Sequence, residues 1–575
     1  MENEKTFKIC LTMAGAVSAG AYSAGVLDYL LETLELWEEA KSTNRARGIN
    51  HPDYDHSIPM HHVEIDVLSG SSAGGICGSL AFLAMSDKNF TSCNKHNTSG
   101  KNNLFYSSWV DMGDLPESTT VDKLLGNEDL REYKEVRSLL NSDVIDALAN
   151  DAICLREAKP VPAYASKSLD VILTTTNLRG NNFLVDFDGN DKNSTKGTVI
   201  TNHEGFFRYK MKNDLYSEGI PKNETELYYV LDLQKERDLQ YLKEATLSTA
   251  AFPIGLKARD ITISAEYIKR YPLYLFNKAK GITPLLPEGN LYSFTSVDGG
   301  VINNEPYGVG LKILKEKNPE HIEKDRYAVI MIDPFPNKDN DTPKIGTDIL
   351  SVAGGLFKAL RNQVMFNQDG ILEALNLSTR TKFLIEPIRK IEKNGIWGRP
   401  LSDLASAPIG GFAGFLSRDF RHHDFHLGRK NCQAFLRHYF AMPVEDAEAR
   451  LGEIPTDKMK ARFQFSEPPM DPNGKKFYPI IPDMRMLENF SNTGDVATYG
   501  DDANIPDIPY PKMNFSAFEI RYKEKIKDRI GMLVKYQIKN GFLSFLANQF
   551  YVRKAGYNFV KNALYKQLKE NNLLH

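Results

Sequence analysis

The stretch that most constrains what this chain can fold into is Val63 to Met85, VEIDVLSGSSAGGICGSLAFLAM. Val63 to Leu68 is β-branched and apolar, as a strand is. Gly70-Ser71-Ser72-Ala73-Gly74 follows, a G-x-S-x-G sequence, and Ile76 to Met85 is small and apolar, the composition of a buried helix. Strand, tight turn and helix in that order is the setting of a nucleophile elbow. Gly70 and Gly74 relieve crowding at the reversal and leave the Ser72 hydroxyl exposed at the turn. The helix N-terminus beneath it presents unpaired N–H groups and the positive end of a dipole. An oxyanion formed by attack of Ser72 therefore meets the Ala73 N–H. The same residues also describe a plain Gly/Ser turn, so the rest of the chain has to supply Ser72 with a base.

The order of the remaining elements sets the fold class. Phe7 to Thr12 reads as a first strand, and Gly15-Ala16-Val17-Ser18-Ala19-Gly20 as a small-residue loop. A helix follows, with Leu27, Leu30, Leu31 and Leu34 at i, i+3, i+4 and i+7. Backbone N–H groups of such a loop can converge on a negative oxygen. Nucleotide binding is disfavoured, because neither G-x-G-x-x-G nor G-x-x-x-x-G-K-[ST] is present. Asp170 to Leu178 reads as a buried strand, with Asn182 to Asp186 pairing after it, and His203 to Lys210 as another. Leu239 to Phe252 is a helix rich in small residues, stopped by Pro253. Phe294 to Val297 is strand-like and runs into Asp298-Gly299-Gly300, and Tyr327 to Ile332 is a late buried strand. Strands alternating with helical stretches predict an α/β fold with a mainly parallel central sheet. Polar stretches at about 41–62 and 87–103 read as insertions. Past residue 340 the character shifts: Ile345 to Leu375 and Asp424 to Tyr439 read as helices, around a Pro-rich, aromatic stretch from Pro455 to Pro511. Residues 1–340 are thus expected to form the catalytic domain, and 341–575 a mostly helical extension.

An alcohol is a weak nucleophile at neutral pH and needs a base. Asp298 is the leading candidate, at the end of a strand-like run with two glycines after it that keep side chains away from its carboxylate. A carboxylate in a dry pocket has its pKa raised and can take the serine proton directly.

Together these motifs resemble the patatin-like phospholipases, serine acyl hydrolases with a Ser–Asp dyad. GSSAG supplies Ser72, and DGG at Asp298 continues as Val301-Ile302-Asn303-Asn304-Glu305-Pro306. The N-terminal loop runs into Gly20-Ala21-Tyr22-Ser23-Ala24-Gly25-Val26-Leu27, and Ala245 to Pro253, ATLSTAAFP, is similar to the family's stretch between its catalytic motifs. The resemblance covers about the first 340 residues. It implies a three-layer patatin-like domain and Ser72 and Asp298 as the catalytic pair. An oxyanion hole would form from N–H groups of Gly15, Ala16, Val17 and Ala73, with Gly20, Gly70, Gly74, Gly299 and Gly300 as supporting motif residues. It further implies cleavage of phospholipid or lysophospholipid esters through an acyl-enzyme, with neither cofactor nor metal. The family's oxyanion loop is usually G-G-G-x-[RK]-G. Here Ala16 and Val17 replace glycines and Ala19 replaces the basic residue. This departure motivates one alternative, a lipid-binding protein with a weakened site; an acyltransferase is another, since an acyl-serine can be resolved by an alcohol other than water. An α/β-hydrolase triad of Ser72, Asp333 and His423 has the right chain order, but that fold places more strands before the nucleophile.

Gly410 to Phe435 is the other dense cluster, with Arg418, Arg421, His422, His423, Asp424, His426 and Arg429. Its histidines lack a convincing spacing for one metal site. A polar helix packed on the catalytic domain is the first reading, and a phosphate or head-group site through the arginines is the second.

Composition narrows the setting. The formal net charge of −3 gives no reason to expect a nucleic-acid partner, but it hides an asymmetry. From Ser516 to His575 there are 12 Lys/Arg against 4 Asp/Glu, a net of +8, on a body of net −11. Ile530, Leu533, Val534 and Ile538 make the start of this tail amphipathic. The tail is therefore expected to bind an anionic membrane peripherally, or the acidic body itself. No run approaches the about 18 consecutive apolar residues of a membrane span, and the N-terminus lacks an apolar signal-peptide core. The five scattered cysteines suit a reducing compartment. A cytoplasmic location is expected, with the inner membrane surface as an option.

Overall fold

The computed structural model describes residues 5–185, 197–220, 227–270, 282–286, 289–336, 380–389, 391–393, 396–398, 400, 402–467, 474–488, 498–499, 505, 507–538 and 550–575. The helix expected over Ile345 to Leu375 lies outside the described residues.

Apolar, β-branched runs form the strands of one ten-stranded sheet. These are β1 (Phe7–Met13), β2 (Val63–Gly70), β3 (Ala165–Val185), β4 (Thr198–Met211), β5 (Tyr229–Leu231), β6 (Arg259–Ser264), β7 (Ile282–Leu285), β8 (Leu291–Asp298), β9 (Tyr327–Ile332) and β10 (Lys382–Ile385). The order is β10-β9-β1-β2-β3-β4-β5. Pairing is parallel from β10 through β3, and antiparallel where β3 meets β4, β7 and β8. The sequence suggested two segments at 170–178 and 182–186. They are one continuous strand, β3, whose register with β4 shifts between Thr176 and Asn181, beside the left-handed Gly180.

Helices cover both faces of the sheet. In β1, Cys10 and Met13 point to opposite sides, because their separation is odd. A Cβ on Gly310, in the helix Tyr307–Lys317, would stand 2.9 Å from Cys10 Sγ. One on Gly78, in the helix Ala73–Ala84, would stand 3.3 Å from Met13 Cε. One helix therefore lies on each face, and the parallel half of the fold is a three-layer sandwich.

The C-terminal half joins the same core. We label the helix Gly20–Arg47 α1 and the helix Ala73–Ala84 α2; the helix Glu236–Thr249 is α3, and Arg418–His438 is α4. The α4 helix lies along α1. A Cβ on Gly25 would stand 1.9 Å from the Phe425 carbonyl oxygen, and one on Gly428 would stand 2.1 Å from that of Tyr22. Each helix thus presents a glycine where the other's backbone passes. Arg429 of α4 pairs with Asp28 and Glu32 of α1. The apolar core runs without a break from Phe7 to Met486, so the change of character near residue 340 does not separate two cores. Among the described residues, no helix is long and apolar enough to cross a membrane.

The basic tail forms two helices, α5 (Phe515–Gln537) and α6 (Phe550–Glu570), which pack on each other and on the body. Phe518, Tyr522 and Ile526 of α5 and Tyr557 of α6 share an apolar cluster with Val121. Arg521 and Lys525 hold Asp122, each at 2.5 Å, and Arg529 holds Asp129.

Candidate active site

β2 ends at Gly70 and α2 begins at Ala73, so Ser72 sits on the turn between them. Its backbone is at φ 51° and ψ −125°, a conformation that L-residues adopt only when the surroundings impose it. Close packing imposes it. A Cβ on Gly70 would lie 2.4 Å from the Gly74 carbonyl oxygen, and one on Gly74 would lie 2.2 Å from that of Met13. Thr249, at the end of α3, accepts the Ser72 N–H on its Oγ1 at 2.9 Å.

The Ser72 hydroxyl donates to Asp298 Oδ2 at 2.5 Å. Asp298 is the last residue of β8, and both side chains are buried. The other carboxylate oxygen, Oδ1, accepts the Gly300 N–H at 2.6 Å. The backbone of Asp298 is also fixed, its N–H donating to the Ala251 carbonyl and its carbonyl accepting Thr176 Oγ1, both at 2.9 Å. Gly299 packs against Thr174, whose carbonyl oxygen would stand 2.5 Å from a Cβ there. The carboxylate is thus aimed at Ser72 by the turn that follows it.

The loop from Gly15 to Gly20 is only partly as expected. The Gly15 N–H donates to the Asn304 carbonyl at 3.1 Å, so Gly15 does not serve as an oxyanion donor. Its lack of a side chain matters instead, since a Cβ would come within 2.9 Å of Ser72 Cβ. The N–H groups of Ala16 and Val17 have no acceptor among the described residues, nor does that of Ala73 at the start of α2. Val17 is held at φ 49°, a left-handed conformation that glycine adopts freely. Ala19 is fully buried. Gly20 admits the Trp109 ring, which a Cβ would meet at 2.3 Å.

Ser72, Val17 and Ala73 open into an apolar cavity. Ile145, Leu148, Ala149 and Ala152 form one wall, Trp109 and Phe415 others. Sequence reasoning passed over this wall, although those four residues fall at i, i+3, i+4 and i+7 of the helix Asp143–Ala152. It also passed over Thr249 as the partner of the Ser72 backbone, and over Phe415.

Phe415 comes from the Gly410–Phe435 cluster, whose first part straps the oxyanion loop. The Gly411 carbonyl accepts both the Ser18 N–H, at 3.1 Å, and the Ser18 hydroxyl. The cluster's arginines are occupied. Arg418 holds Asp111 at 2.8 Å, Arg421 holds Asp114 at 2.6 Å, and Arg429 is paired with α1. A phosphate would have to displace these carboxylates. Among the described residues, no three His, Cys, Asp or Glu side chains group as metal ligands would. The triad of Ser72, Asp333 and His423 is not assembled. His423 Nδ1 bonds Asp424 at 2.8 Å, and Asp333 accepts the Phe335 N–H at 2.8 Å.

No protein-family model matches the chain. It is similar to a Sinorhizobium fredii protein described as uncharacterized protein y4iI, 31% identical over 543 residues, a match spanning 89% of this chain and 73% of that one.

Proposed function

The chain belongs to the family of that Sinorhizobium fredii protein, a membership that carries no activity with it, and we propose that it is a serine acyl hydrolase of the patatin-like type. The observation that carries this reading is the 2.5 Å contact of Asp298 Oδ2 with the Oγ of Ser72, a residue that lines an apolar cavity. A dyad in that setting suits an ester whose acyl part is a hydrocarbon chain, as in a phospholipid or lysophospholipid.

In this mechanism Asp298 accepts the hydroxyl proton as Ser72 Oγ forms a bond to the ester carbonyl carbon. The N–H groups of Ala16, Val17 and Ala73 are the donors available to the oxyanion. Collapse breaks the bond to the alcohol, which leaves with the proton from Asp298. Water then adds to the acyl-serine, giving its proton to Asp298, which returns it to Ser72 as the fatty acid departs. Exposed lysines of the tail, among them Lys523 and Lys554, are where an anionic membrane surface would be met peripherally, a placement that suits a cytoplasmic protein. A second reading, a lipid-binding protein with a weakened site, is favoured by one observation, the loss of the Gly15 N–H to Asn304. A missing oxyanion donor costs about 100-fold or more in rate.

The test is hydrolysis of phospholipid and of a soluble short-chain p-nitrophenyl ester, together with labelling by a fluorophosphonate. Wild type is expected to turn over and to be labelled. Ser72→Ala is expected to lose both, and Asp298→Asn to lose about 1,000-fold or more of the turnover. Full activity in either variant sinks the dyad. Lipid binding by a wild type that neither turns over nor is labelled establishes the second reading.

A further inference from the structure

Among the half-buried residues that line the cavity at Ser72 are Phe252, Leu256, Phe415, Ile145 and Leu148, which border it on the side of the turn after α3. Between Phe252 and Leu256 the chain makes one tight turn, closed by the Leu256 N–H donating to the Phe252 carbonyl at 2.9 Å. At its tip stands Ile254, at φ 70° and 74% exposed. A β-branched residue in the left-handed region is unfavourable, and so is an aliphatic side chain left in water. Neither is an accident of a loose loop. Ile254 and Gly255 are fixed through their carbonyls, which accept the Leu139 N–H at 2.8 Å and the Leu140 N–H at 3.2 Å. Phe252 is fixed through its ring, edge-on to Phe412 with centroids 5.3 Å apart.

These bonds set Leu139, itself 49% exposed, beside Ile254. The edge is apolar, and two charged side chains close to it in the chain are paired: Lys257 holds Asp143 and Asp146, and Arg137 holds Glu135. Such an edge suits an uncharged, fluid, apolar medium, and the turn that carries Ile254 also carries Phe252 and Leu256 of the cavity wall.

We propose that the Ile254–Leu139 edge is the surface by which this protein docks on a lipid aggregate, so that an acyl chain enters the cavity without crossing water. This rests on the reading of Ser72 as an acyl-hydrolase nucleophile. It goes further in naming aggregated lipid as the form of substrate taken and this edge as its dock.

The edge variant is Ile254→Asn with Leu139→Gln, asparagine being tolerated in the left-handed region. Neither residue lines the cavity. Binding is read without catalysis, by flotation of Ser72→Ala protein with phosphatidylcholine vesicles, with and without the edge substitutions. The expected loss of vesicle affinity is about tenfold or more. In the Ser72 background, hydrolysis of vesicle phosphatidylcholine should fall in parallel. Turnover of the soluble p-nitrophenyl ester should stay within about twofold. Equal flotation of the two proteins overturns the proposal. So does binding that requires anionic lipid and survives the edge substitutions, which would assign docking to the tail. A dimer of the parent protein that the substitutions dissociate, with no vesicle binding, also overturns it, in favour of a second copy as the occupant. Should the wild type cleave neither substrate, the acyl-hydrolase reading fails, while flotation still decides the edge.

Discussion

Ser72 and Val17 are both held at positive φ, 51° and 49°, and both border the same cavity. Residues forced into such conformations cost about 1–3 kcal/mol each and persist only where neighbours over-determine them. For Ser72 the neighbour is Thr249. Thr249→Val keeps the shape of the side chain but leaves the buried Ser72 N–H without an acceptor. Stability should fall by about 1–3 kcal/mol, read as a lower urea midpoint. An unchanged midpoint would show that the turn is held by the glycine contacts alone. Ser72 was legible in the sequence because its strain has a steric signature, glycine two residues before and two after. Asp298 was legible for the same reason, through Gly299 and Gly300. Gly15 was not. Its N–H is taken by a backbone carbonyl, that of Asn304, and any residue type there would have offered the same group.

At the scale of elements, the contact between α1 and α4 shows what periodicity can and cannot give. The leucines of α1 announced a helix, but nothing in its pattern named α4 as the partner. The partner is set by the reciprocal glycines, and a glycine inside a helix has many explanations. Gly428→Ala would place a methyl 2.1 Å from the Tyr22 carbonyl oxygen, so the helices must part. The expected loss is about 3 kcal/mol or more, measured by denaturant unfolding. Gly308→Ala is the comparison. It is exposed, in the first turn of the helix Tyr307–Lys317, with nothing within 4 Å, and should be neutral or gain up to about 1 kcal/mol. The α4 helix also carries His426 and His422, their ring centroids 4.5 Å apart. Burial, helped by His422 and Arg429, pushes His426 from 6.5 down to about 3, and burial and Arg418 also lower His422. A depressed histidine is neutral in the folded state and takes up its proton on unfolding. It therefore contributes stability at neutral pH that is lost as pH falls through 6.5 toward 3. At pH 5 the loss from His426 is about 2 kcal/mol. His426→Gln should flatten this acid limb, and an identical limb in the variant would mean that His426 is not what sets it.

At the scale of the molecule, β1, β2 and β9 were readable because each is a short apolar run ended by a turn signal, whereas β10, only four residues long, was not. The antiparallel half was less readable, since β3 changes partners along its length with no change in its own composition. The tail was read as basic and amphipathic, which left its partner open between lipid and body. The structure shows why charge could not decide. The body offers Asp122 and Asp129 to the tail, and single carboxylates do not stand out in a chain with 74 of them. Arg529 is the deepest of these ties, 2% exposed. It holds Asp129 with two nitrogens, one of them Nη2 at 2.8 Å from Oδ2, and bonds the carbonyls of Leu139 at 2.9 Å and Gly126 at 2.6 Å. It therefore ties α5 to the segment that carries Leu139. Arg529→Met would keep the bulk and leave Asp129 buried without its partner, at a cost of about 3–5 kcal/mol. That free energy is local to the docking of the tail, so it should appear as local opening rather than as global unfolding. Amide exchange in Phe515–Gln537 and around Leu139 is expected to speed by about 100-fold or more, with β1 and β2 unaffected. Asp129→Asn added to Arg529→Met removes the stranded charge and should recover part of the protection. Exchange unchanged in the single variant would mean that the apolar cluster around Phe518 and Tyr522 holds the tail without the ion pair. Recovery in the double variant assigns the single variant's loss to the buried charge of Asp129, which Arg529 neutralises in the wild type.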